Sequence, residues 1–187
     1  KFYMFPGLPQ IEFQPRETVA WLAEIDAATP AIRAELDAVL AEPAFADDRV
    51  FLIEDTPELQ SSAWDTVAVL TRRWPRVIGV ADLVRDALRM RPDRIIVGEM
   101  REGAAALETL KSWNTGHPGG LSTIHANSAE EALRRLEDLV AEVSTVVPRR
   151  SIGQAVDLVV FIRRTRDGRT VDAMLEVEGA TEEGYRT

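Results

Sequence analysis

The stretch "RPDRIIVGEMREGAAALETLKSWNTGHPGGLSTIHAN", Arg91 to Asn127, decides the fold. "RIIVGE" is a short continuous apolar run closed by an acid, the pattern of a strand buried on both faces. "EGAAALETLKSWN" is built from strong helix formers and stops near Gly116. "LSTIHA" returns to a strand. Strand, helix, strand at this spacing predicts parallel strands joined by a covering helix. The same stretch holds both histidines of the chain, His117 and His125, in one polar, glycine-punctuated region.

The grammar extends in both directions. Upstream, "RVFLIED" is a second buried strand, and "VADLVRDALRMR" is an amphipathic helix that must stop before Pro92. Downstream, "SAEEALRRLEDLVAEVS" is a helix whose Ser128 and Glu131 fit a capping box. "DLVVFIRR", "RDGR" and "TVDAMLEVEG" form a closing hairpin turned at Asp167 and Gly168. The fold class is therefore α/β, a mostly parallel sheet covered by helices. Residues 1–48 have another texture. "KFYMFPGLPQIEF" is aromatic and Pro/Gly-punctuated, two helices follow in "RETVAWLAEIDAA" and "TPAIRAELDAVLAE", and "PAFADD" marks a boundary near Asp47. The expected organisation is a short helical appendage, 1–48, followed by the α/β part, 49–187.

Composition narrows the function classes. A net charge of -9 argues against specific, direct nucleic-acid binding by the chain as a whole. The absence of cysteine excludes disulfides and thiolate metal sites. No apolar run reaches the roughly 20 residues that span a bilayer. The chain opens at Lys1 without an initiator Met or a signal-peptide pattern, so it reads as a fragment or processed form with a cytoplasmic location. Of its 22 basic residues only two, Lys1 and Lys111, are lysine.

In open parallel sheets functional groups gather at the carboxyl ends of the strands. Three such ends carry chemistry: Glu54 with Asp55, Gly98 with Glu99, and the Ser122, Thr123, His125 segment. Carboxylates there suit magnesium, water and phosphate, and a glutamate can orient or deprotonate an attacking water. Arg89, Arg91 and Arg101 are expected to flank this edge and to balance phosphate charge, in cis or from a neighbouring subunit. Acid pairs at strand ends read equally well as solvated caps, and the arginines as surface ion pairs. The two histidines match no metal-ligand spacing.

Taken together, residues 49–179 resemble the secretion and conjugation ATPases of the type II/type IV secretion superfamily, most closely their conjugative-transfer branch. "RVFLIEDTPELQ" is similar to that family's acidic box, "LRMRPDRIIVGEMR" to its Walker B segment, and "TGHPGGLSTIHANS" to its His box. The resemblance implies a RecA-like P-loop-NTPase core, Mg-ATP as cofactor, a homo-hexameric ring, and a place at the cytoplasmic face of the inner membrane beside the transport machinery. It further implies that Glu54 polarises the attacking water and that Glu99 sits at the Walker B position near the metal. Asp55, Arg89, Arg91 and Arg101 would stand around the nucleotide, and His117 and His125 would couple its state to the ring interface.

One element of that family pattern is missing. The phosphate cradle G-x-x-x-x-G-K-[ST] needs a lysine after a glycine, and Lys1 precedes Phe2 while Lys111 follows Leu110. The sheet is thus expected to lack the P-loop strand, and ATP binding by this chain alone is in doubt. Residues 1–48 instead resemble the N-terminal stretch of aspartyl/asparaginyl β-hydroxylases. That stretch contains no histidine, so a two-histidine, one-carboxylate iron site does not follow from it. Two further readings stand beside the ATPase: a noncatalytic RecA-like interaction module, and a hydroxylase fragment.

Overall fold

The computed structural model of the protein describes residues 46–146, 148–166 and 168–187. The appendage expected over residues 1–48 lies almost wholly outside the described residues.

Four parallel strands form the sheet: β1 (Arg49–Glu54), β2 (Asp65–Leu70), β3 (Arg94–Glu99) and β4 (Leu121–Thr123), in the order β2-β1-β3-β4. Helix α1 (Val80–Ala87) connects β2 to β3, and α2 (Gly103–Asn114) connects β3 to β4. Helices α3 (Ala129–Ala141) and α4 (Arg149–Ala155) follow. The antiparallel hairpin of β5 (Leu158–Thr165) and β6 (Gly168–Glu176) and the short pair β7 (Gly179–Ala180) and β8 (Tyr185–Arg186) complete the chain.

The expected strands β1 and β3 occupy the interior of the sheet, where a continuous apolar run is required because both faces are covered. One face carries Phe51, Ile53, Ile95 and Val97 against Val84 and Ala87 of α1. The other carries Val50, Leu52 and Ile96 against Ala63, Leu59 and Leu121. Strand β2 was not anticipated from the sequence. As the edge strand it is half-exposed along its length and lacks the unbroken apolar signature, although Thr66, Val67 and Val69 are favourable strand residues. Strand β4 is shorter than "LSTIHA" suggested, ending at Thr123.

A second core forms among α2, α3 and α4, with Leu110, Leu133, Leu136, Leu139, Val140 and Ile152 buried and the hairpin residues Val159 and Leu175 packed on it. Helices α2 and α3 approach so closely that a Cβ at Gly103 would stand 2.1 Å from the Leu139 carbonyl oxygen. The cap of α3 is the expected one: the Ser128 hydroxyl accepts the Glu131 N–H at 3.1 Å. The Glu131 carboxylate, however, accepts from the Asn127 side chain at 2.9 Å. Arg149 on α4 holds Glu137 on α3 with two hydrogen bonds of 2.8 Å and donates a third to the Glu182 carbonyl. That bidentate pair, made by the short helix α4 that the sequence pattern did not show, ties the carboxyl-terminal residues to the helical core.

Candidate functional site

Parallel strands bring their carboxyl ends to one edge, and there Glu54, Asp55, Glu99, Thr123 and His125 gather. Glu54 ends β1 with its side chain on the same face as Val50 and Leu52, and it is only 5% exposed. The chain turns immediately afterwards, so the backbone N–H groups of Glu58 and Leu59 reach back to Glu54 Oε1 at 3.0 and 2.9 Å. Its second oxygen takes no hydrogen bond among the described residues. Gly98 on β3 leaves room for this carboxylate, since a Cβ there would meet Glu54 Cγ at 3.2 Å.

The pairing of β3 with β4 shifts between Val97 and Glu99. The extra residue, Gly98, bulges the strand and re-aims Glu99. Thr123 supports the bulge from both sides: its hydroxyl donates to the Gly98 carbonyl at 2.7 Å, and its own carbonyl accepts the Met100 N–H at 2.9 Å. Glu99 thereby faces a small cleft of about 230 Å³ lined by Met100, Arg101, Ile124, His125 and Arg135. Both of its oxygens are engaged, Oε2 by Arg101 Nη2 at 2.5 Å and Oε1 by His125 Nε2 at 3.2 Å. The Arg101 hydrogen bond holds the Glu99 carboxyl below the ordinary carboxylate range, partial burial opposes this, and the Arg101 and His125 charges add to the lowering. His125 is otherwise open to solvent, 94% exposed at its side chain. Asp55, at the same edge, accepts the Thr71 hydroxyl at 2.8 Å, and the Thr71 N–H bonds the Glu54 carbonyl at 3.0 Å.

Three expected site residues stand elsewhere. Arg89 belongs to a 3-10 turn, Leu88–Met90, before β3, and Arg91 follows it in a left-handed conformation with φ of 54°. Arg91 lines a cleft of about 420 Å³ with Asp47, Arg49, Trp64, Asp65, Pro92 and Asp93, at the amino ends of the strands. The expectation that Arg89 and Arg91 flank the carboxyl edge is therefore corrected. They precede β3 and Arg101 follows it, and six extended residues separate the two edges by roughly 20 Å. The two histidines are parted in the same way. His117 comes before β4, its Nδ1 lying 3.3 Å from the Ser112 carbonyl at the end of α2, whereas His125 comes after β4. Neighbouring Gly119 sits level with Arg94, whose Nη1 donates to its carbonyl at 3.2 Å.

Sequence reasoning missed Arg135, which reaches the Glu99 cleft from α3, and the paired amides of Glu58 and Leu59. Only the fold brings these groups to the edge, and no local pattern announces them. Two carboxylates on adjacent strands, one fixed by backbone donors and one charge-compensated, can hold water and accept a proton beside an anionic ligand. The described residues fit the water-holding side of a magnesium-phosphate site, which is oxygen-rich and retains several waters. They do not supply its phosphate-cradling side. Among them no group of three acidic or imidazole side chains is placed to bind a metal directly.

The chain is 48% identical over 153 residues to the conjugal transfer protein TrbB of Rhizobium radiobacter, a match covering 81% of this chain and 46% of that protein. It is 38% identical over 99 residues to the type IV secretion system protein VirB11 of Bartonella henselae, covering 51% of this chain and 28% of that one. The fold matches the crystal structure of the VirB11 ATPase of Brucella suis with a TM-score of 0.62 at 24% identity, over 89% of this chain and 57% of that chain. The chain thus spans less than half the length of the curated relatives it matches. The α/β arrangement is that of the RecA-like ATPase core. Residues 34–180, a span that begins upstream of the boundary read near Asp47, match the family described as type II/IV secretion system protein, and the chain belongs to that family.

Proposed function

We propose that the chain carries the water-activating half of an ATP-hydrolysing site belonging to a secretion or conjugal-transfer ATPase, and that the 187-residue chain on its own does not turn ATP over. One observation carries the reading: Glu54 and Glu99 end adjacent parallel strands at one edge, beside Thr123 and His125, in a chain of this family. Mg-ATP, when bound, brings the transferable phosphoryl group to that edge. Glu54, anchored through one oxygen, keeps the other for the proton of a water at the strand ends. Glu99 holds the Walker B position, where its remaining lone pairs would face the waters of a bound magnesium ion while Arg101 and His125 fix the carboxylate. Arg101, largely exposed beside Glu99, supplies a positive charge for phosphate oxygens in the same cleft. The described residues give no backbone nest for those phosphates, and neither lysine of the chain lies in a glycine-rich loop. Positioning accounts for most of the catalysis in phosphoryl transfer, so the carboxylates alone do not suffice.

The wider reading follows the family: a homo-hexameric ring on the cytoplasmic side of the inner membrane, working with the transfer machinery. Arg89, Arg91 and His117, at the opposite edge of the sheet, are placed to face a neighbouring subunit and not their own carboxylates. Calorimetry with Mg²⁺ and a nonhydrolysable ATP analogue at high protein concentration is expected to show no tight binding. Steady Mg-dependent turnover that disappears in Glu99→Gln overturns the reading.

The missing phosphate cradle favours a second reading, a noncatalytic module that packs against complete subunits. Mixing the chain with an active full-length relative separates the two. A change in turnover produced by the chain but not by Glu99→Gln shows that its carboxylate completes a site. An equal change from both shows packing alone.

A further inference from the structure

Between β2 and α1 the chain reads "TRRWPRVIG", Thr71 to Gly79. The root of this loop is closed by reciprocal backbone hydrogen bonds, Arg72 N–H to the Ile78 carbonyl at 3.0 Å and Ile78 N–H to the Arg72 carbonyl at 2.7 Å. The five residues between them therefore project as a short finger on a fixed base. Its tip is apolar and bare: Trp74 is 82% exposed and Val77 70% exposed, with Pro75 also in solvent. Arg72, Arg73 and Arg76 flank those residues in sequence, all exposed, and none of the three guanidinium groups makes a hydrogen bond or ion pair among the described residues.

The local charge is opposite to that of the molecule. No acidic residue occurs between Asp65 and Asp82, in a chain whose net charge is -9. Some arginines elsewhere pair with carboxylates, as Arg149 does with Glu137 and Arg101 with Glu99, whereas this trio has no acid beside it in sequence. An exposed tryptophan and three arginines without partners among the described residues, on one short finger, fit a surface that is apolar and anionic at once. An indole, a proline and a valine interleaved with three guanidinium groups on one short exposed loop match a bilayer, whose acyl layer lies beneath anionic headgroups. A single-stranded nucleic acid would ask for several stacking platforms along a basic groove, and the finger has one ring.

We propose that the Arg72–Val77 finger is a shallow contact for an anionic phospholipid surface. It inserts Trp74 to headgroup depth while the three arginines pair with lipid phosphates. One such contact is weak, and several copies presenting it on one plane multiply it. The contact does not depend on whether the chain hydrolyses ATP.

The test is co-sedimentation of the full chain, at low salt, with vesicles of phosphatidylglycerol and phosphatidylcholine and with vesicles of phosphatidylcholine alone. Binding is expected only to the anionic vesicles, with a blue shift of emission that is absent in Trp74→Ala. Replacing Arg72, Arg73 and Arg76 together by Gln is expected to weaken binding on the order of a hundredfold, about fivefold for each arginine. All four side chains are exposed, and thermal melts confirm that each variant folds. No binding to the anionic vesicles, or binding that both variants retain, overturns the proposal. So does Trp74 emission that responds to a single-stranded oligonucleotide or to self-association of the chain but not to lipid.

Discussion

Glu99 has no free oxygen: a guanidinium holds one side and an imidazole the other. Because Arg101 lowers its pKa, the stability this carboxylate adds is present above the ordinary carboxylate range and is lost as pH falls through the lowered folded value. Arg101 is largely exposed, so salt screens the effect. Titrating the Glu99 carboxyl by NMR is expected to give a midpoint below the ordinary value of about 4.3. In Arg101→Ala the midpoint is expected to rise, and an unchanged midpoint would show that Arg101 is not the cause. At this scale the sequence was partly readable. The resemblance pointed to Glu54, Glu99 and His125, because their motifs are local. It did not separate Arg89 and Arg91 from Arg101. Residues close in sequence on either side of a strand stand at opposite edges of the sheet, and only the strand's length makes this plain.

Among the elements, the contact between α2 and α3 depends on Gly103. The helices meet backbone to backbone there, with the Gly103 N–H also reaching the Glu142 carboxylate at 3.2 Å. A methyl group has no flexible side chain to displace, so Gly103→Ala must push α2 away from α3 across the Leu110, Leu133 and Leu139 core. Overpacking of this kind costs about 1–3 kcal/mol, which urea denaturation should register as a lower midpoint with little change in slope. A variant as stable as the parent would mean that the helices separate freely. Elements were legible in proportion to how completely they are buried. Strands β1 and β3 carry unbroken apolar runs, and α3 carries an amphipathic stripe with its cap. The edge strand β2 and the seven-residue α4 carry neither signal, since one is half-solvated and the other buries only Ile152 and Gly153.

For the molecule as a whole, the sheet is packed on both faces, against α1 on one and against Leu59 and Ala63 on the other, and a further core lies among α2, α3, α4 and the hairpin. The hairpin shows its other face to solvent, with Leu158, Val160, Ile162, Val171 and Met174 exposed in one stripe. Neither the division into separate cores nor that bare stripe could be read from composition, which counts apolar residues without saying which face they occupy. Between the cores lies β4, with only three paired residues and an irregular register. So short a strand should be the first part of the sheet to open, because few backbone hydrogen bonds and little apolar burial hold it. Hydrogen exchange is expected to be faster at Ser122, Thr123 and Met100 than at Phe51, Ile53 and Ile96. Uniform protection across all four strands would contradict that order. Thr123 is also the residue that braces the bulge under Glu99. Each brief parting of β4 thus loosens the aim of the carboxylate at the centre of the edge, and any ligand or neighbour that pins β4 acts as a clutch, engaging Glu99 without touching it.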